Sequence, residues 1–185
     1  MQIREQIIKQ AIAILGSSEL VQNSGNKLDN AERMCAVFVR SAIEEVFLSI
    51  LWKGAIKLIP KTEGKANEFI FVPSIDDCVK AITITPSNTE WYIDDKKLYF
   101  KGRELASGFY YSDKYLKDIL NERISDVPSM FIMLCSLYLA SHVAHSLYSN
   151  SIFTDGMKRQ YLQKIEETKK LHYFDYNLMF SGRVS

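Results

Sequence analysis

The sequence is poor in the residues that mark specialised scaffolds. It has three cysteines, at 35, 78 and 135, an odd number with no C-x-x-C pair. That excludes a disulfide framework and a cysteine-based zinc site, and it points to a reducing compartment. Four prolines and eight glycines exclude collagen-like and low-complexity chains. Excess charge is missing too: 23 Lys and Arg face 22 Asp and Glu, a formal net charge of +1. A chain so balanced neither coats DNA nor forms an acidic tail. The Walker-type loop G-x-x-x-x-G-K-[ST], the dinucleotide loop G-x-G-x-x-G and the nucleophile elbow G-x-S-x-G do not occur, so three common catalytic or phosphate-cradling devices are absent. What is present is apolar and aromatic matter. Of the 185 residues 47% are hydrophobic and 12% aromatic, enough to bury a core in one domain or in one domain with an extension.

The N-terminus, Met1 to Gln6, carries charges and amides where the apolar stretch of a signal peptide would sit. The most apolar stretch is Val127 to Leu147. It is nearly long enough to cross a bilayer. It opens on Pro128 and Ser129, carries His142 and His145, and has no flanking Lys/Arg cluster. A core helix is therefore expected, and no membrane association.

Helical periodicity governs both ends of the chain. Ile3, Ile7, Ile8, Ala11, Ile12 and Leu15 form one stripe, which Gly16-Ser17-Ser18 should stop. Residues 16–29 read as a loop. Asp29 with Glu32 three residues later resembles a capping box, and a long helix is expected behind it, from Asn30 to about Lys53 or, on a second reading, on through Gly54 to Leu58. Asp126 and Pro128 should open the apolar helix, which runs to about Ser149. Thr154-Asp155 should open the last helix, with Met157, Tyr161, Leu162 and Ile165 inward. The tail from His172 to Ser185 is aromatic but shows no helical stripe, so an extended segment seeking a surface is expected there.

The middle third changes period. Glu68–Val72, Val79–Thr85, Trp91–Ile93, Leu98–Phe100 and Ser107–Tyr111 read as short strands rich in β-branched and aromatic residues. Trp91–Ile93 and Leu98–Phe100 flank Asp94–Lys97 as a hairpin. The expected organisation is N-terminal helices over 1–66, a β insert over 67–112, C-terminal helices over 113–171 and an extended aromatic tail over 172–185. The fold class is mainly α with a small antiparallel β insert (α+β), a helical bundle with a projecting sheet. Alternating βαβ units are lacking, which excludes a doubly wound sheet.

Candidate chemistry is sparse. His142 and His145 stand at i, i+3, a spacing that can bring two imidazoles to one metal, but no carboxylate lies within two turns. Asp76-Asp77 and Asp94-Asp95 are adjacent pairs at turns, and neighbours in an extended chain point opposite ways. The three cysteines sit in apolar or strand settings, as inert thiols do. Lys96, Lys97, Lys101 and Arg103 lie near Tyr92, Tyr99 and Phe100, yet residues 67–126 hold 11 acids against 8 bases, the wrong balance for a phosphate-tracking surface. The inventory predicts no catalytic, cofactor or metal site and no enzyme.

One ordered set of segments resembles a known family. It comprises Ala42-Ile43-Glu44-Glu45-Val46-Phe47-Leu48-Ser49-Ile50-Leu51-Trp52, then Lys53–Lys57, then Val72-Pro73-Ser74-Ile75-Asp76-Asp77-Cys78. The hairpin Trp91–Tyr99 follows, then Ile124–Phe131 and Leu139–Ala144. In this order they resemble the head–tail adaptors of short-tailed bacteriophages, the tail tubular protein A family, which includes ring proteins of crAss-like phages. Two residues are inserted before the Asp-Cys step of the family pattern. The resemblance implies a connector-like fold and a structural role in genome delivery. The subunit would form a ring, of about twelve copies in the family, beneath the portal protein. Its other partner would be the downstream tail or nozzle protein, with double-stranded DNA passing through the lumen. The protein would sit in the virion neck after assembly in the host cytoplasm. Tyr173, Phe174, Tyr176, Met179 and Phe180 are the expected partner interface. The competing expectations are a non-viral helical interaction module, or a small metal-dependent enzyme built on His142, His145 and a distant carboxylate such as Asp126.

Overall fold

The computed structural model describes the backbone of residues 2–16, 25–105, 107–124, 126–147 and 151–181, and the side chains of 2–16, 29–105, 108–124, 126–147 and 152–171. The fold is α+β, with five α-helices and three small antiparallel sheets among the described residues. The chain divides into two compact units. Residues 1–50 with 119–185 form the helical unit, and 51–118 form the β unit.

In the helical unit, α1 (Ile3–Gly16) buries Ile3, Ile7, Ala11 and Leu15, a strict i, i+4 stripe. Helix α2 (Gly25–Ser49) buries Ala31, Cys35, Val39, Ala42, Ile43, Val46 and Phe47. Helix α4 (Ser129–Leu147) is the centre of the unit and packs against α1, α2 and α5 (Ser151–Ser181). Ten of its residues are buried, among them Phe131, Leu134, Leu139 and Val143. Its serines do not spoil that interior. The Ser136 hydroxyl donates to the Ile132 carbonyl at 2.8 Å and the Ser141 hydroxyl to Tyr138 at 2.7 Å, so the helix's own backbone satisfies them.

Several expected boundaries move. Helix α2 starts at Gly25, so Asp29 lies inside it and is not its N-cap. Asn26-Lys27-Leu28 contains no breaker, and the helix gains a turn ahead of the capping-box pattern. The helix ends at Ser49. Trp52 is already extended (φ −82, ψ 129) before a single 3-10 turn at Lys53–Ala55. Strands therefore begin well before residue 67, with β1 (Ile56–Ile59) and β2 (Thr62–Glu63). A short helix absent from the sequence reading, α3 (Lys114–Leu120), follows the last strand. The aromatic tail is not extended, since α5 continues through residue 181. No Gly or Pro occurs between Gly156 and Gly182, so nothing local stops the helix.

In the β unit, β8 (Ser107–Ser112) is the middle strand between β1 and β4 (Cys78–Thr85). Strand β4 slips register between Cys78 and Lys80 and again between Ala81 and Thr83. These bulges break the simple alternation expected of Val79–Thr85. Strand β2 pairs with β7 (Glu104–Leu105). The third sheet has the order β3-β6-β5, with β3 Phe69–Phe71, β5 Glu90–Asp94 and β6 Lys97–Lys101. Asp95 and Lys96 join β5 to β6 with φ of 44 and 61, the two positive φ values of a type I′ turn. Ile59, Val72, Ile75, Leu98, Phe100 and Leu105 are among the buried side chains of this unit's core.

Candidate functional site

Alternation along β5 and β6 sorts the third sheet into two faces. Leu98 and Phe100 point into the core, with Ile70 and Ile93 packed partly against it. The opposite face carries Phe69 and Phe71 from β3, Tyr99 with Lys97 and Lys101 from β6, and Tyr92 with Glu90 and Asp94 from β5. Phe69, Phe71 and Tyr92 are 44%, 48% and 42% exposed. The rings form a continuous ladder. Tyr92 and Tyr99 stack at 4.8 Å with planes 4° apart. Phe69 meets Tyr92 edge-on at 5.0 Å, and Phe71 lies 6.3 Å from Tyr99. The Lys101 ammonium sits 5.7 Å over the Phe69 ring and 3.4 Å from a Glu90 carboxylate oxygen. Asp94 is registered opposite Lys97. Lys97 and Lys101 of the basic cluster are thus matched by acids on the same face. Because the tyrosines stack on each other, the ladder offers ring edges and hydroxyls more than open ring faces. Such a surface suits protein recognition better than the stacking of single-stranded bases, which needs free faces.

Among the described residues, the β unit has one buried carboxylate. Asp113, 6% exposed, receives the Lys96 ammonium on Oδ2 and the Lys117 ammonium on Oδ1 at 2.9 Å. Burial alone would raise its pKa. The hydrogen bond from Lys96 and the charge of the Lys117 ammonium close to Oδ1 outweigh burial and hold the carboxyl below the usual range. The neighbouring strand ends are tied as well. The Ser112 hydroxyl donates to the Asp77 carboxylate, the Asp113 amide to the Asp77 carbonyl at 3.0 Å, and the Cys78 amide to the Lys96 carbonyl at 2.8 Å. Asp77 and Asp113 therefore lace β4, the β5–β6 turn and α3 together; they are not a cation cage. A carboxylate with a depressed folded-state pKa stabilises above the unfolded value of about 3.8, and that contribution vanishes as pH falls through the lower folded value. Asp113→Asn should cost about 1–3 kcal/mol near pH 7. In denaturant titrations the gap between variant and wild type should narrow once pH falls below the unfolded value of about 3.8. A gap that stays constant while the carboxyl is titrated would remove the ion-pair account.

His142 and His145 are both exposed on α4. The His142 ring stacks on Tyr138 at 4.2 Å, and its Nδ1 lies 3.3 Å from the Tyr138 carbonyl. They line a groove of about 430 Å³ that also includes Phe38, Asp155, Lys158 and Tyr161. Among the described residues no group of three His, Cys, Asp or Glu is placed to hold a metal, and Asp126 is exposed and absent from that groove. Cys35, Cys78 and Cys135 are buried free thiols. Burial, then Glu32, pushes Cys35 up to about 11. Burial, then Asp77, pushes Cys78 up to about 12, and burial raises Cys135 well above the usual thiol value. Thiols so protonated at neutral pH are poor nucleophiles. Tyr173, Phe174, Tyr176, Met179 and Phe180 fall on the last turns of α5, where side chains lie outside the described residues.

The aromatic ladder was not among the sequence candidates. Half of it is accessible from sequence: a two-residue turn at Asp95-Lys96 dictates that Tyr92 faces Tyr99. The other half depends on β3 pairing with β6, a contact with no local signature. Compared with known proteins, the chain matches no family model and no curated protein.

Proposed function

We propose that the chain is a head–tail adaptor subunit of a tailed bacteriophage. It assembles into a homo-oligomeric ring beneath the portal and joins capsid to tail around the DNA channel. The ordered resemblance of residues 40–170 to that family motivates the reading. Its chief support is the division of α5. From Ser151 to Lys170 the helix is amphipathic, with Met157, Tyr161, Ile165 and Thr168 buried and i, i+3 ion pairs such as Lys164–Glu167 at 3.0 Å outside. From Leu171 to Phe180 the sequence has seven apolar or aromatic residues in ten, spread over every side of a helix, and no Lys or Arg. A helix end apolar all round belongs in an interior, and a portal or a sister subunit supplies one. The unit inserted between α2 and α4 adds a second recognition surface, the aromatic ladder, for the next tail component.

Deleting residues 172–185 tests the reading. The truncated protein should stay folded, with a cooperative melt and only the helical signal of residues 172–181 lost from the far-UV spectrum, and should lose co-sedimentation with portal complexes. Retained attachment would count against the role of this helix end, and a strictly monomeric full chain, alone and with portal, would refute the adaptor itself.

A further inference from the structure

The outward face of β5 and β6 carries its charges in a pattern that matches itself. The register pairs Glu90 with Lys101, Tyr92 with Tyr99 and Asp94 with Lys97. Each level of the hairpin therefore holds one acid and one base, or two tyrosines. A two-fold axis parallel to the strands, placed above the line between β5 and β6, lays a second copy's β5 over β6 and its β6 over β5. Every level is preserved by that rotation. Lys101 then meets the second copy's Glu90, Lys97 meets its Asp94, and Tyr99 meets its Tyr92.

We infer that this face is an isologous contact between two copies of the chain, sheet on sheet, with the tyrosine ladder at its centre and two acid–base pairs at each end. Charge matching and exposure point the same way. Phe69, Phe71 and Tyr92 are half exposed, and paired sheets with strands within about 30° of each other pack through such side chains. Phe69 and Phe71, one strand further out, lie against the outer edge of the second copy's β5 and extend the apolar contact. A dyad of this kind differs from the head-to-tail contact that closes a ring. It therefore goes beyond the adaptor reading and does not depend on it. It also identifies what covers an exposed aromatic surface when no tail component is present.

The β5–β6 pair is only about 17 Å long by about 10 Å wide, so the contact is smaller than a standard interface and association is weak. Sedimentation equilibrium should reach about 0.5 mM for that reason. A reversible monomer–dimer equilibrium is expected. Lys101→Glu should weaken it by about tenfold or more, since it sets like charges against each other at two symmetry-related places. Glu90→Lys should do the same. The double variant E90K/K101E restores the matching at every level and should recover dimerisation. Asp94→Lys with Lys97→Glu provides an independent second pair, and unchanged thermal melting shows that each variant is folded. A chain that stays monomeric, single reversals that leave association unchanged, or a double swap that fails to rescue it would each overturn the inference. The 172–185 truncation should leave this dimer intact, so losing portal attachment and losing the dimer are separable results.

Discussion

Gly108→Ala should cost about 2–4 kcal/mol, far more than a single methyl group suggests. Gly108 is buried in β8, the strand flanked on both sides, where it is registered opposite Ile59 of β1 and Ile84 of β4. A Cβ built there would lie 2.4 Å from the Thr83 carbonyl oxygen, 2.9 Å from Ile59 Cδ1 and 3.3 Å from Ile84 Cα. The first obstacle is backbone, so no rotamer change relieves it. Strand β4 would have to move away from β8, and it is already bent by two register slips just ahead of this point. Gly156→Ala is the matched control. That position lies in α5 with nothing within 4 Å of the new Cβ. Alanine there should stabilise by about 0.5–1 kcal/mol through helix propensity alone. The readouts are the urea midpoint of each variant and amide exchange in β1, β4 and β8, which should accelerate for Gly108→Ala. A Gly108→Ala protein within about 0.5 kcal/mol of wild type would mean that β4 and β8 are not held at the described spacing.

How far the sequence discloses this fold depends on how local each signal is. Helices α1 and α4 and the β5–β6 hairpin are legible because a single period and a turn define them. The Ile3–Ile7–Ala11–Leu15 stripe needs no knowledge of the partner that buries it. Strand β1 is hidden because Ile59 is its one buried residue and Ile56–Leu58 read equally well as the end of a helix. Strands β2 and β7 have two residues each, too few to establish any period. The entry to α2 is misplaced because a good capping pattern at Asp29 loses to continued helix through Asn26–Leu28. The helical course of residues 172–181 is obscured because its apolar residues surround the axis and leave no stripe. The aromatic ladder divides along the same line. The Tyr92–Tyr99 pair follows from the hairpin, while Phe69 and Phe71 join it only through a pairing with β6 some thirty residues away.

Phe131→Ala should remove about 3–5 kcal/mol from the helical unit. The expected size follows from the place of α4 in the packing. Its 18-residue window has a mean hydropathy of 1.5, which by length and composition would serve for a bilayer span. Half of that window is buried within the protein, and α1, α2 and α5 all pack against the helix. Phe131 is 0% exposed, in the first turn of the helix, with its amide donating to the Pro128 carbonyl at 2.8 Å. Truncation therefore empties a volume that the rigid first turn cannot collapse to fill, and a cavity adds to the lost transfer free energy. His145→Ala on the exposed side of the same helix should change stability by no more than about 0.5 kcal/mol. The contrast separates the two roles open to so apolar a helix. A helix serving as a core has one class of position that is costly to truncate and another that is nearly neutral, set by protein neighbours. A helix facing lipid loses little when Phe becomes Ala on its outward side. Denaturant melts of the two variants in detergent-free buffer read this directly, and equal effects at Phe131 and His145 would contradict the packing of α4 at the centre of the bundle.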